Sequence, residues 1–450
     1  MIEPSPDCLN ELLSLPKAGD GPGFHRLNVV MKSIKESSWW NAFDTIRITG
    51  SNGKGSVTAI LHAILRRLDI SCGRYTSPHL VRINERILVG DEEISNSQLD
   101  ACYRWATHRI DELKTELESE RFGSFELLTL MCIRAFQETN TPLGVVEAGI
   151  GGRFDPTRVF PGKLVALTSV DLEHTGLLGD RKELIGYDKI DLCPDGGTVV
   201  SVNNDAILWG KLKSYCELRK ISLVDARSHF AATSATGFLD GKMKVKLTYG
   251  TREISAEAAL VGTFQLDNIA IACTLAKLWL STNRPDITPQ EFESAIVSGL
   301  RLVQWPGRFE TISHTPPVII DVGHTPDACK RLIESVKEFL VHRDILLVTG
   351  VSDNKAVEDI LSILVPSASA VICTRAYHRG EKVERIAAIV RKLAPEMRVW
   401  ETSNIEEAVT LATEVAIDQK MTVLVAGGLF LSIEFRETLL GHNPRNLQFY

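Results

Sequence analysis

The most restrictive feature of the sequence is a glycine-rich turn between an apolar run and a helical stretch. Residues 49–56 read TGSNGKGS and directly follow the strand-like residues 45–48. Glycines let backbone N–H groups converge on phosphate oxygens, and the N-terminus of the following helix adds partial positive charge. Lys54 is placed to reach the outer phosphates and Ser56 to bind Mg²⁺, although Gly55 departs from the GxxxxGKS/T spacing. The segment therefore predicts a loop for a nucleoside triphosphate, with an ordinary tight turn as the alternative.

Strand-like runs alternate with helical periodicity along the chain, which predicts an α/β fold with mainly parallel sheets. In the first part, the predicted strands cover residues 45–49, 143–150, 164–172, 198–203 and 242–249. The predicted helices of this part cover residues 56–68, 97–118, 125–140 and 268–280. After a turn at residues 305–308, strands are predicted at 318–322, 345–351, 370–374 and 423–426, with helices at 328–340, 357–364, 383–393 and 405–417.

The chain is long enough for more than one domain, because 450 residues exceed what one hydrophobic core usually supports. The Pro-Gly turn separates the two alternations. We therefore predict a first domain of residues 1–304, a linker of residues 305–312 and a smaller Rossmann-like domain of residues 313–450. In open sheets of this kind, ligands bind beyond the carboxyl ends of the strands, so the functional residues are expected there.

The composition argues against several classes of protein. Hydrophobic residues make up 44% and charged residues 24%, as in a globular protein, and the net charge of −7 comes without a long basic run. No nucleic-acid partner is therefore expected, and no apolar stretch is long enough to span a membrane. The nine cysteines form no CxxC pair and no signal peptide is evident at the N-terminus, which predicts reduced thiols in a cytoplasmic protein.

Polar residues stand where several predicted strands end. Glu147 ends an apolar run before a glycine turn, and His174 follows the next strand. Both are candidate metal ligands, the alternatives being a surface carboxylate and a structural histidine. Arg308, after the Pro-Gly turn, is a candidate phosphate ligand or a solvated hinge residue. Asp321 and His324 end the first strand of the second alternation, where they would face the ligand of the first domain.

These clusters, in this order, resemble the motifs of the folylpolyglutamate synthase and dihydrofolate synthase family, a branch of the Mur-type amide ligases. The resemblance runs from about residue 20 to about residue 435. The motifs that carry it are GSNGKGS at residues 50–56, TSPHL at 76–80, NERI at 84–87, EAGIGGRFDPTR at 147–158, EHT at 173–175, DK at 188–189, FQLDN at 264–268, WPGR at 305–308 and DVGHTP at 321–326. The resemblance implies a P-loop ATPase domain with a mainly parallel sheet and a smaller C-terminal Rossmann-like ligase domain.

The resemblance also implies roles for individual residues. The residues that would contact ATP are Asn52, Gly53, Lys54, Gly55, Ser56, Gln265, Asn268, Arg308 and Asp321. The implied Mg²⁺ ligands are Ser56, Ser77, Glu147 and His174. Lys189 matches a lysine that is carbamylated in the family, and His324 matches a residue near the reacting groups. The implied catalytic residues are thus Lys54, Lys189 and His324.

The activity implied by the resemblance is that of an ATP-dependent ligase that joins an acid to an amino acid. A substrate carboxylate attacks the γ-phosphate of ATP to give an acyl phosphate and ADP. An amine, L-glutamate in most of the family, then attacks the acyl phosphate and releases phosphate. Mg²⁺ and Lys54 would offset the charge that develops on the transferring group. The implied partners are a small-molecule carboxylate acceptor and an amino acid.

The sequence departs from the family pattern mainly in loops expected to face the acceptor or the amine. The family's EKAGI reads DKIDL here, and Pro156 and Arg158 replace an alanine and an asparagine. Arg158 adds a cation that suits a more anionic acid. We therefore predict that substrate choice is set around Asp155 and Arg158.

Three functions remain open. The chain is a folate-type glutamate ligase, a ligase of the same mechanism that acts on a non-folate acid in specialised metabolism, or a non-catalytic nucleotide-binding homologue. The intact Lys54, Glu147, His174 and Lys189 argue against the third function. The sequence does not name the acceptor, the amine, the number of additions or the oligomeric state.

Overall fold

The computed structural model describes residues 7–21, 24–118, 120–239, 241–341, 343–353 and 356–449. Two large sheets flanked by helices dominate these residues, and a small antiparallel sheet falls between them in the sequence. The α/β fold predicted from the alternating pattern is confirmed. None of the helices in these ranges has the length and apolarity needed to cross a membrane.

The first large sheet carries the glycine-rich loop at its edge. Its eight strands are β1 (Asp44–Thr49), β2 (Gly73–Tyr75), β3 (Ile87–Val89), β4 (Glu92–Glu93), β5 (Leu143–Glu147), β6 (Leu164–Leu167), β7 (Thr198–Ser201) and β8 (Ser222–Asp225). Their order is β4-β3-β2-β5-β1-β6-β7-β8, and all pairings are parallel except β2–β3 and β3–β4. Ile48 of β1 lies opposite Glu147 of β5, so both strands end beside the glycine-rich loop.

Helices cover both faces of this sheet. They are α1 (Leu9–Ser14), α2 (Phe24–Lys35), α3 (Ser38–Ala42), α4 (Lys54–Arg66), α5 (Asn96–Glu112), α6 (Ser124–Glu138), α7 (Thr175–Leu178), α8 (Lys182–Ile190), α9 (Ala206–Leu218), α10 (Gln265–Asn283) and α11 (Pro289–Leu302). Ile46 and Ile48 of β1 share one buried core with apolar residues of α4, α10 and α11. Tyr75 and Val146, on neighbouring strands, belong to a second core with α2, α5 and α6. Burial on both faces explains why these strands read as continuous apolar runs.

The small sheet contains three antiparallel strands in the order β11-β10-β9. They are β9 (Ala231–Leu239), β10 (Lys242–Tyr249) and β11 (Arg252–Ala258). Met243, Val245 and Leu247 alternate with lysines and a threonine, so one face of β10 is buried and the other is exposed. The strand predicted at residues 242–249 is confirmed.

The second large sheet has six strands. They are β12 (Glu310–His314), β13 (Pro317–Ile320), β14 (Ile345–Thr349), β15 (Ala370–Cys373), β16 (Arg398–Glu401) and β17 (Thr422–Ala426), in the order β12-β13-β17-β14-β15-β16. Only β12 is antiparallel, and its Glu310 pairs with Ile320, so the sheet begins inside the segment predicted as a linker. The helices of this part are α12 (Pro326–Phe339), α13 (Val357–Leu364), α14 (Val383–Leu393), α15 (Ile405–Asp418) and α16 (Leu429–Leu439).

Some element boundaries differ from the sequence prediction. The strands predicted at residues 143–150 and 164–172 end earlier, at Glu147 and Leu167. After β6, the hydroxyl of Thr168 donates to the carbonyl oxygen of Asn52, so the chain turns towards the glycine-rich loop. The sequence also misses β16 and α16. A four-residue strand flanked by charged residues lacks an apolar run, and α16 follows β17 after only a two-glycine turn.

The last described residues contact loops of both large sheets. The backbone N–H of Gln448 donates to the carbonyl oxygen of Val81 at 3.1 Å, and its side-chain oxygen accepts from the N–H of Ile83 at 2.9 Å. The ring of the next residue, Phe449, packs against Phe430 at the start of α16 with 4.8 Å between centroids. These adjacent residues thus join a loop of the first sheet to a helix of the second.

Candidate active site

The loop between β1 and α4 depends on its glycines. Gly53 has φ 86° and Gly50 has φ 143°, a region that residues with a side chain rarely adopt. A Cβ on Gly53 would lie 2.5 Å from Oδ1 of Asn268, and one on Gly50 would lie 1.9 Å from Oγ1 of Thr168. The backbone therefore approaches its neighbours closely, as a phosphate-binding loop requires.

Hydrogen bonds to the end of β6 fix this loop. The N–H of Asn52 donates to the hydroxyl of Ser169 at 2.9 Å, and the N–H of Ser51 donates to the carbonyl oxygen of Ser169 at 2.9 Å. The hydroxyl of Thr168 donates to the carbonyl oxygen of Asn52 at 2.6 Å. Because both strands end at the same edge of the sheet, β6 supplies the residues that hold the loop in shape.

Lys54, the first residue of α4, is the electrostatic centre of the site. Its Nζ donates to the carbonyl oxygen of Gly50 at 2.8 Å, so the side chain folds back over the loop. Its positive charge acts on Glu147, Glu173 and Lys189, which come from three other parts of the first sheet and its helices. The structure therefore brings three predicted residues, Lys54, Glu147 and Lys189, to one place.

Glu147 is a buried carboxylate at the end of β5. One carboxylate oxygen accepts from the N–H of Ser77 at 3.1 Å. Burial raises the pKa of Glu147 to about 7, although the charges of Lys54, Arg308 and Arg74 act in the opposite direction. A buried carboxyl group of this kind gains from a nearby cation, because a cation stabilises its ionised form.

Lys189 on α8 forms a buried ion pair with Glu173. Nζ of Lys189 lies 2.7 Å from Oε1 of Glu173, and the lysine side chain is only 1% exposed. Burial, reinforced by the charge of Lys54, lowers the pKa of Lys189. Burial acts to raise the pKa of Glu173, but the charges of Lys189 and Lys54 outweigh it and hold this pKa below its usual value. The lysine therefore loses its proton more easily than an exposed lysine does.

The predicted Mg²⁺ ligands are only partly assembled by the protein itself. Ser56 is buried at the start of α4, and Ser77 contacts Glu147, but His174 is exposed in a left-handed conformation with φ 45°. Within the described ranges, no group of three or more His, Cys, Asp or Glu residues lies close enough to hold a metal. Mg²⁺ usually binds one or two carboxylates together with water and substrate phosphates, and Glu147 beside the phosphate-loop serine fits that pattern.

The predicted nucleotide residues of α10 contact the phosphate loop. Nε2 of Gln265 donates to the hydroxyl of Ser56 at 3.4 Å, and Nδ2 of Asn268 donates to Oε1 of Gln265 at 2.8 Å. Asp321, at the end of β13, is buried and accepts from the N–H groups of Phe309 at 3.0 Å and Gly323 at 2.7 Å. The bond from Phe309 holds the residue after the WPGR turn against the end of β13, next to Arg308.

A polar cavity lies between the two large sheets, directly over the phosphate loop. The predicted residues that line it are Asn52, Gly53, Ser56, Asn268, Arg308 and Asp321. Sequence reasoning missed the other polar or aromatic lining residues, which are Thr168, Ser169, Asn204, Phe264, Asp267 and Arg331. Thr168 and Ser169 follow β6 and were open to the same strand-end rule as Glu147. Arg331 lies inside α12, where the sequence carries no signal of function.

Asp155 has a structural role in the turn after β5. Its carboxylate is buried and accepts from the N–H groups of Gly149, Ile150 and Thr157, each at 2.9 Å. These bonds fold the turn after β5 and occupy the oxygens that the prediction assigned to substrate. Asp155 therefore holds the loop, and its contact with substrate stays a prediction.

Arg158 and His324 are not among the residues that line the polar cavity. Nη1 of Arg158 donates to the carbonyl oxygen of Arg153 at 2.8 Å, and its guanidinium lies 4.8 Å from the ring centroid of Phe24. Arg158 is half-buried, so part of its cationic group remains accessible. Nδ1 of His324 lies 3.1 Å from the carbonyl oxygen of Val322, just before α12.

The fold and the polar cavity between two parallel sheets define a Mur-ligase-type α/β protein. Residues 307–429 match the glutamate ligase domain of the Mur ligases. A probable bifunctional folylpolyglutamate synthase/dihydropteroate synthase of Halobacterium salinarum is 31% identical over 447 residues, covering 96% of this chain and 51% of that protein. The chain thus spans about half the length of this relative and of a second archaeal one.

Proteins of similar length also match. Folylpolyglutamate synthase of Lacticaseibacillus casei is 27% identical, with 88% of this chain and 90% of that protein covered. The structure of Mycobacterium tuberculosis folylpolyglutamate synthase, solved with ADP and AMPPCP, superimposes with a TM-score of 0.82 at 25% identity over 94% of this chain and 96% of that chain. The resemblance to the folylpolyglutamate synthase and dihydrofolate synthase family that was drawn from the motifs is confirmed.

Proposed function

We propose that the protein is an ATP-dependent ligase of the folylpolyglutamate/dihydrofolate synthase type, which joins a carboxylic acid to an amino acid, with L-glutamate as the amine. The observation that carries the proposal is the convergence of Lys54, Glu147 and the Lys189–Glu173 pair at the phosphate loop. The solved relative with ADP and AMPPCP bound supports ATP as the nucleotide. The proposal includes two domains, residues 1–304 and 313–450, joined by a linker of residues 305–312.

The residues of the chain divide the work of the first step. The carboxylate of the acid attacks the γ-phosphorus of ATP, the bond from that phosphorus to the bridging oxygen breaks, and ADP leaves. Lys54 and the N-terminus of α4 stabilise the negative charge on the phosphoryl oxygens, and Arg308 reaches the same space from the WPGR turn. Mg²⁺, when bound, would supply further charge neutralisation beside Glu147, Ser56 and Ser77.

The second step forms the amide bond. The amine nitrogen attacks the acyl carbon, the bond from that carbon to the phosphate oxygen breaks, and inorganic phosphate leaves. The amine must lose its proton before it attacks. We propose that His324 accepts this proton, because a proton on its Nδ1, which lies 3.1 Å from the carbonyl oxygen of Val322, would leave Nε2 as the accepting nitrogen. In this proposal the residue beside the reacting groups comes from the loop between β13 and α12.

Lys189 is proposed to carry a carbamate. Only a neutral amine adds CO₂, and burial lowers the pKa of Lys189, which favours that form. The product is an anion, which would repel Glu173 at the present 2.7 Å and attract both Lys54 and a metal ion. Carbamylation would thus exchange one buried ion pair for contacts with the cations of the site.

A folate-type acid is proposed as the acceptor. The relatives of similar length are named folylpolyglutamate synthase, dihydrofolate synthetase or both kinds of synthase, and these names support a folate-type acceptor. The alternative, a non-folate acid in specialised metabolism, depends on the residues that depart from the family pattern, above all Arg158.

The decisive experiment measures ADP release against a panel of acceptors and amines. The panel contains dihydropteroate, folates and unrelated aromatic acids, each with L-glutamate and with other amino acids. We expect ADP and phosphate to form in equal amounts only with a pteridine-containing acid and L-glutamate, with mass spectrometry showing one added glutamyl unit. ADP release that occurs only with a non-pteridine acid would support the alternative, a ligase that acts on a non-folate acid. No ADP with any pair, from protein that still binds AMPPCP, would select the non-catalytic homologue.

We also propose that the protein is cytoplasmic. The nine cysteines are buried and free, which suits a reducing compartment. No nucleic-acid or membrane partner is proposed.

A further inference from the structure

Arg331 connects the second sheet to the phosphate loop of the first. It lies on α12, and its Nη2 lies 2.9 Å from Oδ2 of Asp171, which follows β6. Arg331 lines the cavity with a side chain that is 35% exposed, and the side chain of its partner Asp171 is 15% exposed. A long cationic side chain at this exposure can change its rotamer without disturbing a packed core.

The carboxylate oxygen of Asp171 that binds Arg331 also binds the phosphate loop. Nδ2 of Asn52 donates to Oδ2 of Asp171 at 3.1 Å, while Arg331 donates to that oxygen at 2.9 Å. The N–H of Asp171 also donates to the hydroxyl of Ser51 at 3.0 Å. A single carboxylate oxygen therefore links Arg331 to the phosphate loop.

The position of Arg331 in the cavity wall is the second observation that indicates a role in ligand binding. Arg331 lines it from α12, Arg308 lines it from the WPGR turn, and Asn52 and Gly53 form its base. The acidic side chain of Asp321 in the same cavity is already committed to two backbone N–H groups. A nucleotide polyphosphate brings several negative charges into this space, and a guanidinium binds phosphate oxygens through two parallel N–H groups.

We propose that Arg331 is a nucleotide phosphate-binding residue supplied by the second sheet, and that Asp171 holds its guanidinium at the cavity edge until a nucleotide enters. Phosphate oxygens then compete with Asp171 for the guanidinium. The proposal deepens the proposed function, on which it rests for the identity of the ligand. It assigns to α12 a direct role in binding the nucleotide.

A purely structural ion pair makes a different prediction. If Asp171 and Arg331 only tie the two sheets together, removing either partner breaks the same contact and both changes act on nucleotide affinity in the same direction. If Asp171 competes with the nucleotide, removing Arg331 weakens binding and removing the charge of Asp171 strengthens it. The direction of the two effects therefore separates the two explanations.

The test measures the dissociation constants of AMPPCP, ADP and adenosine by calorimetry, which avoids turnover. Arg331→Ala should raise the dissociation constants of AMPPCP and ADP about tenfold or more and leave that of adenosine unchanged. Asp171→Asn keeps an oxygen that can accept from Asn52, and it should lower the dissociation constant of AMPPCP severalfold. Lys330→Ala is the matched control, because Lys330 is the neighbouring cation on α12, with a 61% exposed side chain, and pairs with Asp327 on its own helix.

The double variant removes a further ambiguity. If Asp171 acts only by repelling a bound anion, Asp171→Asn strengthens binding to the same extent with and without Arg331. If competition for Arg331 is the cause, adding Asp171→Asn to Arg331→Ala should change the dissociation constant by less than twofold. An equal gain in both backgrounds would overturn the proposal, and so would a matched loss in Arg331→Ala and Asp171→Asn.

Two other results have distinct meanings. If the wild-type protein binds AMPPCP but Arg331→Ala binds it equally well, this inference fails and the proposed function stands. If folded wild-type protein binds neither AMPPCP nor ADP, the proposed function fails and this inference fails with it. Circular dichroism and thermal unfolding of each variant establish that folded protein is compared with folded protein.

Discussion

Gly55 and Trp305 are in direct contact, and only a residue without a side chain fits at position 55. A Cβ on Gly55 would lie 2.2 Å from Cζ2 of the Trp305 ring. The same ring lies under the guanidinium of Arg74, with 5.3 Å between the guanidinium carbon and the ring centroid. The glycine that separates Lys54 from Ser56 therefore makes room for the WPGR turn to reach the phosphate loop.

Gly55→Ala should destabilise the protein although alanine is the better helix former. We expect the free energy of unfolding to fall by about 1–3 kcal/mol, because the indole has to move off the helix. Chemical denaturation measures the effect. Gly210→Ala is the control, since Gly210 lies in α9 with nothing within 4 Å of a new Cβ, and this change should stabilise by up to about 1 kcal/mol. Similar effects of the two changes would show that the contact with Trp305 is unimportant.

Lys54→Ala should abolish turnover and leave the fold intact. Lys54 is the side-chain cation of the phosphate loop, and removal of such transition-state stabilisation costs roughly 3 kcal/mol, or about a hundredfold in rate. ADP production is the measurement, with Lys244→Ala on the exposed face of β10 as the control. A Lys54→Ala protein that keeps more than about a third of the wild-type rate would remove Lys54 from the mechanism.

Glu147→Gln should stabilise the protein at alkaline pH and inactivate it at every pH. Burial raises the pKa of Glu147 to about 7, so its carboxyl group binds a proton more tightly in the folded than in the unfolded protein. Its contribution to stability is then present below the unfolded pKa and is lost as the pH rises through 7.

The change to glutamine removes this loss. The variant should match the wild type at pH 4 and exceed it at pH 8, by at most roughly 3 kcal/mol. Thermal unfolding across this pH range measures the difference. Glu434, whose pKa is also raised to about 7 by burial, provides the comparison, because Glu434→Gln should change stability without altering the Mg²⁺ requirement. A Glu147→Gln protein with an unchanged Mg²⁺ titration would place the metal elsewhere.

Lys189→Ala should lose activity and regain part of it with a short carboxylic acid. The added acid would replace the carbamate beside Lys54, whereas the buried Lys189 ammonium of the wild type cannot bind a metal ion. The ¹³C NMR spectrum of protein equilibrated with labelled CO₂ provides a direct observation. Lys211→Ala, on the surface of α9, should change neither activity nor spectrum. A wild-type enzyme that turns over with an unmodified Lys189 would rule out the carbamate.

Arg158→Asn should raise the KM for the acceptor about tenfold and leave the KM for ATP nearly unchanged. The expected effect follows from a half-buried guanidinium that lies on the ring of Phe24 and keeps part of its charge accessible. Steady-state kinetics with the physiological acid test it. Phe24→Leu is informative beside it, because this change loosens the arginine without removing its charge. Identical acceptor kinetics in Arg158→Asn and wild type would show that Arg158 has only a structural role in its loop.

The sequence predicts those parts of the site that depend on local geometry. The glycine-rich loop and Glu147 are recognisable because a short segment determines both the strand end and the turn that follows it. The structural role of Asp155 was not predicted, because its sequence position does not reveal the three backbone N–H groups that surround it. Arg331 was invisible for a related reason. Its contact with Asp171 spans 160 residues and exists only after the two large sheets have packed together.

Gln448 gives the movement of the two large sheets a mechanical constraint. Three hydrogen bonds hold it to the loop after Ser77, through Val81, Ile83 and His79. A hinge motion that separates the sheets must break these bonds together or pull that loop along with the second sheet. A hinge motion that keeps Phe449 packed on Phe430 would therefore displace the loop that positions Ser77 beside Glu147.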